Sequence, residues 1–464
     1  MYGRNRLKID KKLLIKQHKK EISFIIDKVL SEQTIDRIAR ETDFMKRKGK
    51  VPASCFVNTL LFNENDQAHT SLPDLTADLN QVFGIDISKE AMHKKFTPEA
   101  VKFLKGLLAE LLAGQLQAVA DKALRLHFPQ IKIKDSTKFS LPNSYGNEYK
   151  GYGNFSKTNG LICLQYEYDL VSCNWLSMEM TKGLRNDQQD SKETTGAITK
   201  GDLHIRDLGY VTPTYLSAVV SKKAFFLNRL PPKAGVFTKA MKPLDWKKTN
   251  ASFKKNALTS MELDVLVYEK DKISCRLIIE RVDDREYERR LKKATIRSKS
   301  SSVGMSEIYK IKLRYNTFIT NVSSIILPVS VIRKTYYLRW QIELVFKTWK
   351  SFFNIDKIKK VKKERLECQL LAKMLWILIN WGLFRTCNSH AREIDKEQGV
   401  SVLIFFKRCV KFAATFRLVL LERLCISKWL AQIYLPLIAD CLCGSPKNKK
   451  SHYQSLKINL KPLS

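Results

Sequence analysis

The sequence predicts a mixed α/β protein, with one mixed sheet ringed by helices and helical regions on both flanks. Three observations carry that expectation. The hydrophobic period is helical up to about residue 128 and then switches to alternation. From 129 to 230 the segments read strand-strand-strand-helix-strand-helix-strand, with hairpin pairing first and crossovers later. Beyond 363 the pattern returns to long apolar helices.

Residues 1–128 read as a basic helical region. Lys11, Lys12, Lys16, Lys19 and Lys20 form one charged run, and Lys46, Arg47, Lys48 and Lys50 a second. Ser71-Leu72-Pro73-Asp74 is a helix start with proline just inside it. Leu75, Leu79 and Val82 follow at helical spacing, Gly84 ends the helix, and Ser88 caps the next. Helix, glycine turn and second helix outline a helix-turn-helix, and equally an ordinary helical hairpin. A long amphipathic helix is expected over 98–126.

In 129–230, Ile131, Ile133 and Asp135 share one face of a strand that ends at the aspartate. Strands are expected at 160–171, 175–182, 203–208 and 224–230, with helices at 188–199 and 212–220. Residues 231–325 read as an inserted β-rich module, with strands at 263–268, 274–282 and 316–322 and a basic patch from Arg285 to Lys299. Residues 326–362 complete the sheet-bearing region with a helix from about 331 to 352. Region 363–464 holds apolar helices at about 364–387 and 400–440 and closes in a basic tail.

Charge narrows the partners. The chain has 464 residues and 82 Lys and Arg against 46 Asp and Glu, a net +36 that calls for a polyanion. Nucleic acid leads, ahead of an acidic membrane or an acidic protein. The best apolar stretch, 369–384, is interrupted by Lys373 and Asn380 and is short for a bilayer. The basic N-terminus lacks a signal-peptide apolar core, so a cytoplasmic protein is expected. The ten cysteines are scattered, and only Cys441 and Cys443 lie close together, so a structural zinc is not expected.

The stretch from Tyr336 to Lys350 carries the chemistry. At roughly 100° per residue, Tyr336, Arg339, Glu343 and Lys350 fall within an arc of about 60°, and Lys347 on the same stripe. Leu338, Ile342, Val345 and Trp349 form a separate apolar stripe. One carboxylate among cations and a phenol suits an enzyme of nucleic acid. Glu343 and Lys347 also form an i,i+4 pair that could simply decorate a solvated helix. Phosphoryl transfer by hard divalent ions needs two or three carboxylates from separate elements. Asp135 is one candidate, with a cap or turn role as its alternative. Asp207, ending the strand before Leu208-Gly209-Tyr210, is another, with Asp202 and Asp187 as rivals.

Tyr336-x2-Arg339-x3-Glu343-x6-Lys350 resembles the Y-R-E-K signature of bacterial cut-and-paste transposases of the insertion-sequence-four family. The flanks 315–322 and 338–351 resemble it too, and Lys134-Asp135-Ser136-Thr137 and Arg206-Asp207-Leu208-Gly209-Tyr210 look like the family's aspartate motifs. The resemblance covers roughly 70–440. It implies a ribonuclease-H-like core with a β-rich insertion between the second and third acidic residues. It implies that Asp135, Asp207 and Glu343 hold two Mg²⁺ ions, with Mn²⁺ able to substitute. Arg339, Lys350, Lys347, Tyr336 and Arg229 would then hold the DNA backbone. The implied partners are double-stranded transposon ends and target DNA, a second copy of the chain in the synaptic complex, and no membrane. The implied setting is a bacterial cytoplasm, at the nucleoid. Relatives that form DNA hairpins stack an expelled base on an aromatic residue, for which Trp246 is the insert's only tryptophan. Two alternatives stand beside an active transposase: an inactive or repurposed DNA-binding relative, and a nuclease without strand transfer.

Overall fold

Among the described residues the N-terminal region holds six α-helices: α1 (Lys11–Phe24), α2 (Glu32–Glu41), α3 (Ala53–Asn63), α4 (Leu72–Phe83), α5 (Lys89–Lys95) and α6 (Pro98–Leu116). The computed structural model describes residues 11–47, 49–63, 71–116, 127–152, 159–172, 174–232, 234–299, 305–339, 346, 350, 360–394, 399–438 and 441–443. A capping box opens α4. The Asp74 N–H donates to Ser71 Oγ at 3.2 Å, and the Ser71 N–H donates to Asp74 Oδ2 at 2.8 Å. Gly84 closes α4 at φ 67°, a left-handed conformation that glycine adopts without steric cost. Ser88 caps α5, accepting from the Ala91 N–H at 3.1 Å. The last part of the helix expected over 98–126 lies outside the described residues.

The middle of the chain supplies β1 (Ile131–Leu141), β2 (Gly160–Asp169), β3 (Asn174–Lys182), α7 (Asp187–Glu193), β4 (Leu203–Arg206), α8 (Pro213–Ser221) and β5 (Phe225–Arg229). It continues with β6 (Val236–Phe237), α9 (Trp246–Lys255), β7 (Ser260–Val267), β8 (Ile273–Arg281), α10 (Asp284–Lys299), α11 (Glu307–Lys312), β9 (Tyr315–Thr320) and α12 (Val329–Tyr337). These nine strands join one mixed sheet in the order β3-β2-β1-β4-β5-β9-β8-β7-β6, and Gly399–Val400 pairs separately with Leu442–Cys443. β1, β4 and β5 run parallel, and the other pairings are antiparallel. The strands of 231–325 therefore extend the first sheet through β9 rather than forming a separate one.

Each face of the sheet has its own core. Ile131, Ile133, Leu203, Ile205 and Leu227 pack toward the N-terminal helices and the long helix α13 (Lys363–Ile394). Phe226, Leu277, Ile279 and Ile319 pack on the opposite side with residues of α8 and α9. Within α13, Lys363–Ala391 is long and apolar enough to cross a membrane, but 89% of its most apolar window is buried inside the protein. Its apolar surface is core.

The helix expected over 400–440 is broken. α14 (Val402–Leu420) stops at a turn where Glu422 takes φ 56°, and a π-helical turn, Leu430–Tyr434, precedes Pro436. Proline lacks the N–H that would continue the ladder, so a wider turn there has a local cause. That turn carries Tyr434, whose hydroxyl meets His18 Nε2 of α1 at 2.9 Å. His18 is fully buried, and desolvation pushes its pKa down to about 4 from an ordinary 6.5. The unfolded chain therefore takes up this proton first as pH falls, and stability is lost between about pH 6.5 and pH 4. The loss is on the order of 3 kcal/mol from this group. A pH series of urea denaturation should show that fall in the wild type and a flatter profile in His18→Gln.

Candidate active site

Asp135 lies in the middle of β1, not at its end. Ser136-Thr137 resembles a turn signal, but threonine is β-branched and suits a strand, and Phe139 and Leu141 extend the face of Ile131, Ile133 and Asp135. The parallel register pairs Lys134 with Arg206, so Asp135 and Asp207 are the next residues on adjoining strands. Asp207 follows β4 directly, and the 3-10 turn Leu208–Tyr210 then carries the chain away. The Asp135 side chain is 15% exposed, whereas that of Asp207 is 43% exposed and accessible.

Arg339 joins the two. Its Nη1 donates to Asp135 Oδ2 at 3.0 Å, and its Nε lies 3.5 Å from Asp207 Oδ1. A planar guanidinium can address two carboxylates at once, which an ammonium does poorly. The continuous helix expected across 331–352 is not what carries Arg339. α12 ends at Tyr337, and Leu338 and Arg339 form a turn closed by i→i−3 bonds from Leu338 N to Thr335 O and from Arg339 N to Tyr336 O, both 3.2 Å. Such tightening eclipses residues three apart, so Tyr336 and Arg339 still point the same way.

Tyr336 differs from its expected place. It is buried, its ring packs on Phe318 with centroids 5.4 Å apart, and burial pushes its phenol up to about 12. It sits in the core rather than at an accessible surface. The charges that act on it include Arg339, Asp207 and Arg229. Arg229, ending β5, is exposed, and Lys350 is helical and half-buried. Phe346 is buried against Tyr166 at 5.1 Å, and Tyr166 is the β2 partner of Asp135. Glu343 and Lys347, together with Trp340 and Trp349, lie outside the described residues. Trp246 starts α9, is buried, and has the Lys312 ammonium 4.9 Å from its ring centre, which makes it a packing residue.

The rival aspartates face elsewhere. Asp202 lies at the opposite end of β4 and pairs with buried Lys132 at 2.8 Å. Asp187, the first residue of α7, accepts from Ser136 Oγ at 3.0 Å on the far face of β1. That face also buries Lys134–Asp190 at 2.6 Å and Arg206–Glu167 at 3.1 Å. Two hard carboxylates on adjoining strands, with a cation already between them, are a donor set that suits a divalent ion.

Residues 126–379 match the transposase DDE domain family. The chain belongs to that family. The matched span runs through β1, β4 and the Tyr336–Lys350 segment, so both aspartates and Arg339 lie inside it. The transposase for insertion sequence element IS231F of Bacillus thuringiensis subsp. israelensis is 30% identical, covering 76% of this chain and 78% of its own length. The IS231B transposase of the berliner subspecies is also 30% identical, over 75% of this chain and 77% of the relative. The IS1151 transposase of Clostridium perfringens is 27% identical over 82% and 83%. The protein is thus an insertion-sequence transposase, an enzyme of DNA transposition, and its DDE domain implies use of a divalent metal.

Two further residues tie together the sheet and the loop that leads to the Arg339 segment, and pattern alone does not mark them. Asn321 accepts from the Phe226 N–H at 2.8 Å and donates to Ala224 O at 2.9 Å, fastening the end of β9 to the start of β5. Buried Arg276 of β8 binds Glu262 through Nε at 2.6 Å and Nη2 at 2.9 Å. Its Nη1 donates to Val322 O at 2.7 Å and Leu327 O at 3.0 Å, holding the loop that enters α12. Arg276→Ala leaves two buried carbonyls and the Glu262 carboxylate without this donor. Chemical denaturation should register a loss of about 2–3 kcal/mol.

Proposed function

We propose that the protein binds the terminal inverted repeats of an insertion sequence, cuts there by two-metal-ion phosphodiester chemistry and joins the 3′ ends to target DNA. The observation that carries this reading is the pairing of Asp135 and Asp207 on adjoining parallel strands with Arg339 between them. The strand order β3-β2-β1-β4-β5, with β2 antiparallel to β1, supports a ribonuclease-H-like core. We assign 129–230 and 326–362 to that core, 231–325 to a β-rich insertion, 1–128 to end recognition, and 363–464 to a helical C-terminal region.

Asp135 and Asp207 would hold Mg²⁺, or Mn²⁺ in its place, with Glu343 as the third carboxylate. Sequence position supports Glu343: it lies four residues after Arg339 and three before Phe346, inside the Tyr336–Lys350 signature. Divalent ions there supply the charge that stabilises the attacking and leaving oxygens of an in-line displacement. Arg339 would grip a backbone phosphate bidentately, and Lys350, Lys347 and Arg229 would act as point charges along the same strand. The burial of Tyr336 favours a bracing role under Arg339 over a direct phosphate contact. The +36 charge supports strongly salt-dependent DNA binding. Two protomers on two ends, working in a bacterial cytoplasm at the nucleoid, complete the reading.

The test offers the protein a DNA end that is already cut and carries a free 3′-OH, together with a supercoiled plasmid and Mg²⁺. Joined product supports transposition. Cleavage of uncut ends without joining reduces the reading to a nuclease, and end binding without either reaction reduces it to a DNA-binding relative.

A further inference from the structure

Helix α7 touches the residues that flank both aspartates, from the face of the sheet opposite the site. On β1, neighbours of Asp135 point away from it because side chains alternate. Lys134 Nζ meets Asp190 Oδ2 at 2.6 Å, and Ser136 Oγ donates to Asp187 Oδ1 at 3.0 Å. On β4, the residue before Asp207 does the same: Arg206 Nη1 donates to Ser191 Oγ at 3.3 Å. Beyond Asp207, Gly209 lies against Asp187 so closely that an added Cβ would sit 2.7 Å from Asp187 Oδ2. One short helix therefore grips 134 and 136 on one strand and 206 and 209 around the other.

We infer that Asp187 is a positioning residue for the Asp135–Asp207 pair, fixing the two carboxylates at the separation a divalent ion needs. Its Oδ1 holds Ser136, and its Oδ2 lies where any side chain at 209 would push the carboxylate aside. That sets the spacing of Ser136 on β1 against the turn after β4, and so the spacing of the aspartates. The geometry also gives Gly209 a reason: alanine there displaces Asp187 and loosens the Ser136 bond. This inference rests on the proposed role of Asp135 and Asp207 as metal ligands.

The test measures Mn²⁺ alone binding to the DNA-free protein, by the loss of the free-ion electron paramagnetic resonance signal. Melting temperature and end-DNA affinity are followed in parallel. Asp187→Ala is expected to weaken Mn²⁺ binding on the order of tenfold, as loss of an outer-shell partner does, with end-DNA binding kept. Asp187→Asn retains the acceptor for Ser136 and should restore affinity close to wild type. Ser136→Ala removes the same bond with little change of volume. It should weaken Mn²⁺ binding in the same direction even if Asp187→Ala proves unstable. Unchanged Mn²⁺ affinity in both Asp187→Ala and Ser136→Ala overturns the inference, as does failure of Asp187→Asn to recover binding at wild-type melting temperature. Failure of the underlying reading shows separately, as wild-type Mn²⁺ affinity in Asp135→Ala.

Discussion

Asp135→Ala and Asp207→Ala are each expected to cut metal-dependent cleavage of end DNA by roughly 10³-fold or more, while end binding persists. On the proposed reading each variant removes a carboxylate that would hold a divalent ion, and divalent charge at a phosphoryl centre is worth several kcal/mol of transition-state stabilisation, with about 1.4 kcal/mol per factor of ten. The strongly positive charge of the chain survives in either variant, so a mobility-shift assay should change little. Stability separates the two. Asp207 is 43% exposed at a strand end, so its loss should move stability by no more than about 0.5 kcal/mol. Asp135 is more enclosed and bonds Arg339, so its loss leaves a half-buried guanidinium with one partner fewer. Full cleavage by either variant removes that residue from the site.

The two aspartates were readable in the sequence because strand chemistry exposes them: each sits beside apolar alternation on a segment short enough to read. Their adjacency was not readable, since it depends on the parallel β1–β4 register, which no local pattern encodes. The insert was legible as β-rich from its strand-like segments. Its pairing with β5 was not, because that pairing runs through Thr320 and Asn321, two polar residues whose partners are backbone atoms some ninety-five positions away. Helical periodicity placed Tyr336 and Arg339 on one face, and that held because a tight turn preserves i,i+3 alignment. It also implied an unbroken helix and an accessible phenol. The turn at Leu338–Arg339 and the packing of Tyr336 on Phe318 come from tertiary contacts that override the local pattern. Asp187 looked like a rival ligand for the same reason: sequence order places it near the second motif, while the sheet places it behind.

Arg339→Ala should lower cleavage by about 10²- to 10³-fold, the range for losing one preorganised donor at a developing charge. Arg339→Lys should recover little of it. The guanidinium reaches both Asp135 and Asp207, and the same fork fits two oxygens of a phosphate, whereas an ammonium offers a single point of charge. The metal readout then divides two roles. As the DNA-free protein stands, Arg339 is the cation between the carboxylates, so removing it takes away a competitor, and Mn²⁺ should bind at least as tightly as in the wild type. Cleavage should nevertheless fall, because on the proposed reading the lost group is the one that grips the backbone phosphate. If Arg339 served only to hold the aspartates in place, Arg339→Ala would lose Mn²⁺ affinity together with cleavage. The sign of the change in Mn²⁺ affinity therefore decides between a DNA-gripping arginine and a structural one.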